Sequence, residues 1–216
     1  ERRRAPLSVL VAIEVAGQAI AMSGSEPGQI PSLFACAHGD ADILDYTCAT
    51  LAEAPAEISP TRFHNSVHNA AAGYWTIATG CHAASSALTA LDYTFGASLL
   101  EAASLAHAES TRVLLVASDG PGCGPLREVI ASQRRFGCAL MLAPEPADGA
   151  IARLDICLAD HQPDEPPSLR AQELAEGNLS ARGSKLLELL ANGVSSTLRV
   201  QAAPQLDLDM TLEYLT

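Results

Sequence analysis

Four groupings in this sequence hold side chains that could do chemistry. Cys81 and His82 are adjacent, and a thiol beside an imidazole is the pairing a nucleophilic cysteine needs. His64 and His68 are spaced i, i+4, with Cys81-His82 further along, a set that a metal ion could use. His38-Gly39-Asp40 puts an imidazole close to a carboxylate just after an apolar run. Asp119-Gly120-Pro121-Gly122 is glycine-rich, as phosphate-cradling loops are.

Each grouping has a plainer reading. No elbow strand leads into Cys81, so it fits a packed turn cysteine better than a nucleophile. The two histidines lack a third ligand at a standard spacing and fit hydrogen bonding to loop backbone near a subunit contact. His38-Gly39-Asp40 reads as strand-end and turn chemistry, because no G-x-S-x-G serine elbow accompanies it. The glycine loop has no P-loop lysine. Neither a metal nor a cofactor is expected.

The frame that must position these residues is one core's worth of chain. Of 216 residues, 48% are hydrophobic and only 4% aromatic, so the core is built from small and aliphatic side chains. A formal net charge of −12 argues against nucleic acid and anionic membranes as partners. The one basic cluster, Arg2-Arg3-Arg4, reads as a solvated flank. Six cysteines, none in a C-x-x-C pair, read as free thiols of a reducing cytoplasm. No run is long enough for a membrane span and no signal peptide is visible, although the sequence opens at Glu1 and leaves room for an upstream strand.

Periodicity predicts helices over 7–23, 43–52, 94–108 and 185–190, with a further apolar segment over 67–78. Strands are predicted over 32–37, 86–91, 112–117, 136–142, 151–159, 197–200 and 208–214. Residues 61–65 read as irregular, 144–149 as a hairpin connection and 162–167 as a loop. No internal repeat is visible. Helices alternating with buried strands predict an α/β layered fold with a mostly parallel core sheet flanked by helices.

The stretch S-V-H-N-A-A-A-G-Y-W-T-I-A-T-G, residues 66–80, resembles the N-x-A-A-G to G-x-x-G-P segment of β-ketoacyl synthases through Asn69, Ala71, Ala72, Gly73 and Gly80. Continuing without a gap, the family's nucleophilic cysteine falls on Asp92, and the helix and strands that follow also match. The resemblance covers about residues 30–145 and implies a truncated thiolase-like fold. Residues 1–216 then form a single ketosynthase-like domain, with 146–216 a shortened C-terminal remnant. The family's H-G-T-G-T and N-S-F-G-F-G-G motifs are absent. The phrase S-P-T-R-F-H-N-S-V-H-N-A-A-A-G-Y-W, residues 59–75, is similar to short ketosynthase-like chain length factors of bacterial aryl-polyene and related pigment clusters.

That resemblance implies a non-condensing subunit that heterodimerises with an active ketosynthase. It would help shape the partner's acyl tunnel in polyene, polyketide or fatty-acid-type elongation. The acyl chains would ride on an acyl carrier protein met through the partner. Asp92 is expected to cap the following helix. Arg62, Phe63, His64, Asn65, Ser66, His68, Asn69, Tyr74 and Trp75 are expected at the interface or tunnel, with core packing an equal explanation for Tyr74 and Trp75. Ser86, Ala87, Leu88, Thr89, Ala90 and Leu91 are expected to form the strand that pairs with the partner. Two alternatives remain: a thioester-directed acyltransferase or hydrolase using Cys81, and a homodimeric acyl-binding module.

Overall fold

The computed structural model describes residues 5–162 and 168–215. Arg2-Arg3-Arg4 and most of the loop expected over 162–167 lie outside the described residues. Alanine-rich apolar spacing builds helix α1 (Leu7–Ser23), which buries Val9, Ala12, Ala16 and Ile20 and stops at Gly24, φ 60°. Strand β1 (Ser32–Ala35) is buried at every position. Helix α2 (Ala41–Glu53) is capped by Asp40, which accepts the Ile43 N–H at 2.9 Å.

Residues 61–65 are not irregular. They lie in helix α3 (Pro60–His64) and its C-terminal cap, Asn65. Ser59 accepts the Arg62 N–H and Pro60 presets the first turn, so a short polar helix forms where periodicity has too few residues to register. Helix α4 (Ala70–Thr79) and strand β2 (Ser85–Leu88) follow. Helix α5 (Thr94–Ala108) leads to β3 (Val113–Asp119) and β4 (Phe136–Leu142). The chain continues through β5 (Ala152–Asp160), α6 (Leu169–Gly177), α7 (Ser184–Asn192), β6 (Ser196–Ala203) and β7 (Leu206–Tyr214).

One sheet runs β2-β1-β3-β4. Its first three strands are parallel, with Leu33 beside Ser86 on one side and Leu115 on the other. β4 closes it antiparallel to β3. A second, antiparallel sheet runs β5-β7-β6. β4 and β5 therefore belong to different sheets, and 144–149 is a crossover rather than a hairpin. Both strands have strong β pattern, but the partner that each takes is set by packing far away in sequence.

The continuous apolar run of β3 explains the layers. Side chains alternate across a strand. Val113, Leu115 and Ala117 face a core with Leu33, Phe95, Leu99, Ala102, Leu186 and the second sheet's Leu208, Met210 and Leu212. Leu114 and Val116 face the opposite way, into a core with Ala12, Ala16, Ile20, Phe34, Ala72 and Trp75. The order is α1 and α4, first sheet, α5 and α7, second sheet. Burying each of the large aliphatic side chains contributes roughly 1.5–3 kcal/mol, against the entropy of ordering it. The expected α/β layered fold with a mostly parallel core sheet is thus the observed one.

The order of elements repeats. A 3-10 turn, a helix and an antiparallel strand pair occur as Leu91–Tyr93, α5, β3 and β4. They recur as Leu179–Gly183, α7, β6 and β7. The two units share the order of their elements, and G-x-x-L-L-E occurs in both, at Gly96–Glu101 and Gly183–Glu188. Among the described residues no helix is long and apolar enough to cross a membrane.

Candidate functional site

The site forms where the two repeated units meet, outside the carboxyl end of β2. That is the end of a parallel strand at which α/β folds place their chemistry. After β2, Thr89 Oγ1 donates to the Ala37 carbonyl at 2.9 Å, tying the strand end to the end of β1. The chain then turns through Leu91, whose φ of 52° is left-handed. A side chain there costs about 1–2 kcal/mol. Thr94 stabilises the turn: its hydroxyl accepts the Ala90 N–H at 3.0 Å and donates to the Leu91 carbonyl at 2.7 Å. This is a strained strand–turn–helix elbow of the kind that presents nucleophiles. It carries leucine and aspartate.

Asp92 does not cap α5, contrary to expectation. The cap position is Tyr93, with no side-chain cap bond, and Thr94 takes over the turn. Asp92 instead turns outward and accepts from Arg182 Nη2 at 3.2 Å, both side chains being about half exposed. Arg182 lies in the 3-10 turn before α7, so this ion pair spans the two repeated units.

Two glycines allow that approach. A Cβ on Gly183 would lie 2.1 Å from the ring of Phe95, and one on Gly96 would lie 2.2 Å from the Gln201 carbonyl oxygen. Phe95 itself is buried at 1% exposure.

Behind the elbow lies a polar cluster that spacing alone does not reveal. Asp119, at the end of β3, is buried and accepts from the Ala37 N–H at 2.9 Å, the Cys36 thiol at 3.2 Å and Ser180 Oγ at 2.5 Å. Its own carbonyl accepts from Asn178 Nδ2 at 3.0 Å, and Asn178 Oδ1 accepts the Ser180 N–H at 2.9 Å. The cluster fastens the Arg182-bearing turn to the ends of β1 and β3. Burial, reinforced by the Asp119 carboxylate, pushes the Cys36 thiol far above its ordinary range. It is therefore a structural donor, not a thiolate. Its signals in the sequence are Asp119-Gly120-Pro121-Gly122 at the end of β3 and Asn178-Leu179-Ser180 before α7, a helix-start pattern.

Cys81 is buried, and its thiol donates to the Ile30 carbonyl at 3.6 Å. It precedes β2, whereas the elbow follows it, so about 13 Å of strand separates the two. His68 is bonded through Nε2 to the Cys36 carbonyl at 3.0 Å. Among the described residues no three His, Cys, Asp or Glu side chains gather as a metal-binding group.

The other expected site residues divide. Arg62 lies over the Tyr46 ring at 4.1 Å. Phe63 and Leu91 are exposed at 59% and 56%, as are His64, Ser66, His68, Asn69, Ser86 and Thr89. Ala87, Leu88 and Ala90 are half-buried. Asn65 is buried. Tyr74 and Trp75 are buried too, and Trp75 packs on Phe34 with ring centroids 6.5 Å apart. For Tyr74 and Trp75 this is the core-packing alternative: their bulk fills this chain's own core, where helix α4 turns its apolar face inward. β2 is an edge strand, paired with β1 alone among the described residues.

The family described as beta-ketoacyl synthase, N-terminal domain matches residues 1–204. The chain belongs to that family. Among solved structures, the chain is similar to a ketosynthase (ApeO) in complex with its chain length factor (ApeC) from Xenorhabdus doucetiae, with 22% identity and a TM-score of 0.71. That match covers 97% of this chain and 79% of the other. The ishigamide ketosynthase/chain length factor is 11% identical with a TM-score of 0.64, covering 99% and 82%. A 3-oxoacyl-(acyl carrier protein) synthase III from Pseudomonas aeruginosa PAO1 is 15% identical with a TM-score of 0.55, covering 97% and 84%. At these identities the likeness is one of fold. Among curated proteins nothing matches. The resemblance read from the sequence puts the family's cysteine position at Asp92, which lies on the elbow after β2.

Proposed function

We propose that this chain is a non-condensing subunit of the chain length factor type, which pairs with an active ketosynthase and helps shape its acyl tunnel. The observation that carries this is an elbow with its backbone strain intact and no thiol on it. Decarboxylative condensation stores the growing acyl group as a thioester, so it needs a thiolate at the elbow and donors aimed at the developing oxyanion. Leu91 is inert, and an acyl-aspartate at Asp92 would be an anhydride open to hydrolysis. Arg182 already holds that carboxylate. Loss of a single oxyanion donor costs about 10²–10³ in rate, and here the nucleophile is missing as well.

The open edge of β2 supports the partner half of the reading. An unpaired strand edge with small, uncharged residues (Ser85, Ser86, Ala87, Leu88) offers backbone donors and acceptors to another strand. A partner strand there would continue the sheet across both subunits. The partner supplies the cysteine and histidines, and the acyl chain arrives on an acyl carrier protein. This chain needs no cofactor of its own. Polyene, polyketide or fatty-acid-type elongation is the setting.

Co-expression with the ketosynthase encoded nearest to it tests the reading. The pair should co-elute as a heterodimer and elongate acyl chains, while this chain alone turns over nothing. Asp92→Ala should leave the pair's elongation rate within about twofold. Turnover of acyl thioesters by the isolated chain, abolished by Cys81→Ala, would instead favour the hydrolase or acyltransferase alternative.

A further inference from the structure

Leu91 is costly where it stands. Its φ of 52° is left-handed, a region that L side chains adopt at a cost and glycine adopts freely. Its side chain is 56% exposed, so burial offsets little of that cost. Among the described residues the other non-glycine with positive φ is Ser110, just past the end of α5, where helices commonly stop that way. Leu91 ends no helix. Strain of this kind persists only where the surroundings over-determine it, and it gathers at sites that grip ligands.

A closed chain of bonds holds the elbow. The Cys36 N–H donates to the Leu88 carbonyl at 3.1 Å, and Thr89 Oγ1 donates to that of Ala37. The Ala37 N–H donates to Asp119, which also accepts from Ser180. Ser180 shares its 3-10 turn with Arg182, and Arg182 returns to Asp92, the neighbour of Leu91. Thr94 fixes the turn from the α5 side. None of these bonds serves a nucleophile, because the elbow has none. What they hold in place is the Leu91 side chain.

That side chain stands at the carboxyl end of β2, an edge strand among the described residues. His68 bonds the Cys36 carbonyl, so the segment bearing exposed Phe63 and Val67 is tied to the same end of the sheet. Residues 58–91 hold no Asp or Glu, and Arg182 pairs with Asp92. Apolar side chains with no free carboxylate among them suit an alkyl chain, which has no charge or hydrogen bond to offer. Sorting alkyl chains by one two-carbon step needs a wall fixed to well within that step, and an over-determined elbow is such a wall. Resting on the ketosynthase-subunit reading above, we infer that Leu91 touches the growing acyl chain in the partner's tunnel and is a determinant of the length at which growth stops.

The test is the length distribution of the acyl products made by the full chain co-expressed with its ketosynthase and a carrier protein, read by mass spectrometry. Leu91→Ala should raise the ratio of longer to shorter products about tenfold, and Leu91→Phe should lower it by a similar factor. Leu91→Gly, which relieves the strain and so folds at least as well, should shift the ratio the way alanine does. Leu158→Ala, at an exposed leucine on β5 of the second sheet, should leave it unchanged. Complexes that form with every Leu91 variant and keep the wild-type distribution overturn the inference and leave the subunit reading standing. So does a Leu91→Ala that weakens the complex without changing product length, since Leu91 is then an interface anchor only. If the wild type forms no complex, the subunit reading itself fails and this inference with it.

Discussion

Gly183→Ala tests whether the two repeated units really meet as closely as the elbow requires. The backbone at Gly183, φ −84° and ψ 7°, suits any residue. Alanine should therefore stabilise by about 0.4–1 kcal/mol through the unfolded chain alone. Against this, the new Cβ would stand 2.1 Å from the Phe95 ring, well inside contact distance. Phe95 is buried among Leu99, Leu186 and the second sheet, so the ring has nowhere to go without moving α5 against α7. Overpacking of this kind costs about 1–3 kcal/mol, and the expected net effect is a loss of about 1–2 kcal/mol. Phe95→Leu alone should also destabilise, by leaving space. Combined, the two should cost clearly less than their sum, because the smaller side chain clears room for the methyl. Urea unfolding of the four proteins of this cycle measures the coupling. A neutral or stabilising Gly183→Ala, or strict additivity with Phe95→Leu, would refute the close packing that brings Arg182 to Asp92.

Other outcomes follow from the same geometry. Leu91→Gly should raise stability by up to about 1 kcal/mol, since left-handed backbone strain is relieved at some cost in chain entropy, whereas Leu91→Val should lower it; urea midpoints decide. Burial raises Cys36 far above 9.0 and pushes Cys138 up to about 12. A raised folded-state value means stability is fully present below about pH 9 and is lost as pH rises beyond it, because only the unfolded chain can ionise these thiols. Stability should fall by about 2–3 kcal/mol between pH 8 and 10, and by about half as much in Cys138→Ala. Iodoacetamide should modify exposed Cys48 and Cys157 in the folded protein and spare Cys81 and Cys138 until it unfolds; mass mapping that found Cys81 labelled first would revive it as a nucleophile.

Local pattern by itself marked most of the longer helices and strands and pointed to the family, while missing α3 and α6. α1 and α5 run over the residues their periodicity marks, because alanine-rich amphipathic spacing and a closing Gly24 act within a turn or two of chain. β3 is legible for the same reason: an unbroken apolar run has to be buried on both faces. That the elbow carries no cysteine is legible too, since residues 89–94 hold none. Tertiary structure decided what depends on residues far apart meeting. It sent β4 and β5 to different sheets, placed Tyr74 and Trp75 inside the core, and set the two repeated units against each other. Above all it decided the fate of Asp92. A carboxylate one turn before a helix suggests a cap by sequence distance, but its bond goes to Arg182, ninety positions away. That partner is supplied by Gly183, Phe95 and the buried Asp119 cluster. No local pattern can encode a contact that exists only after two halves of a fold have closed on each other.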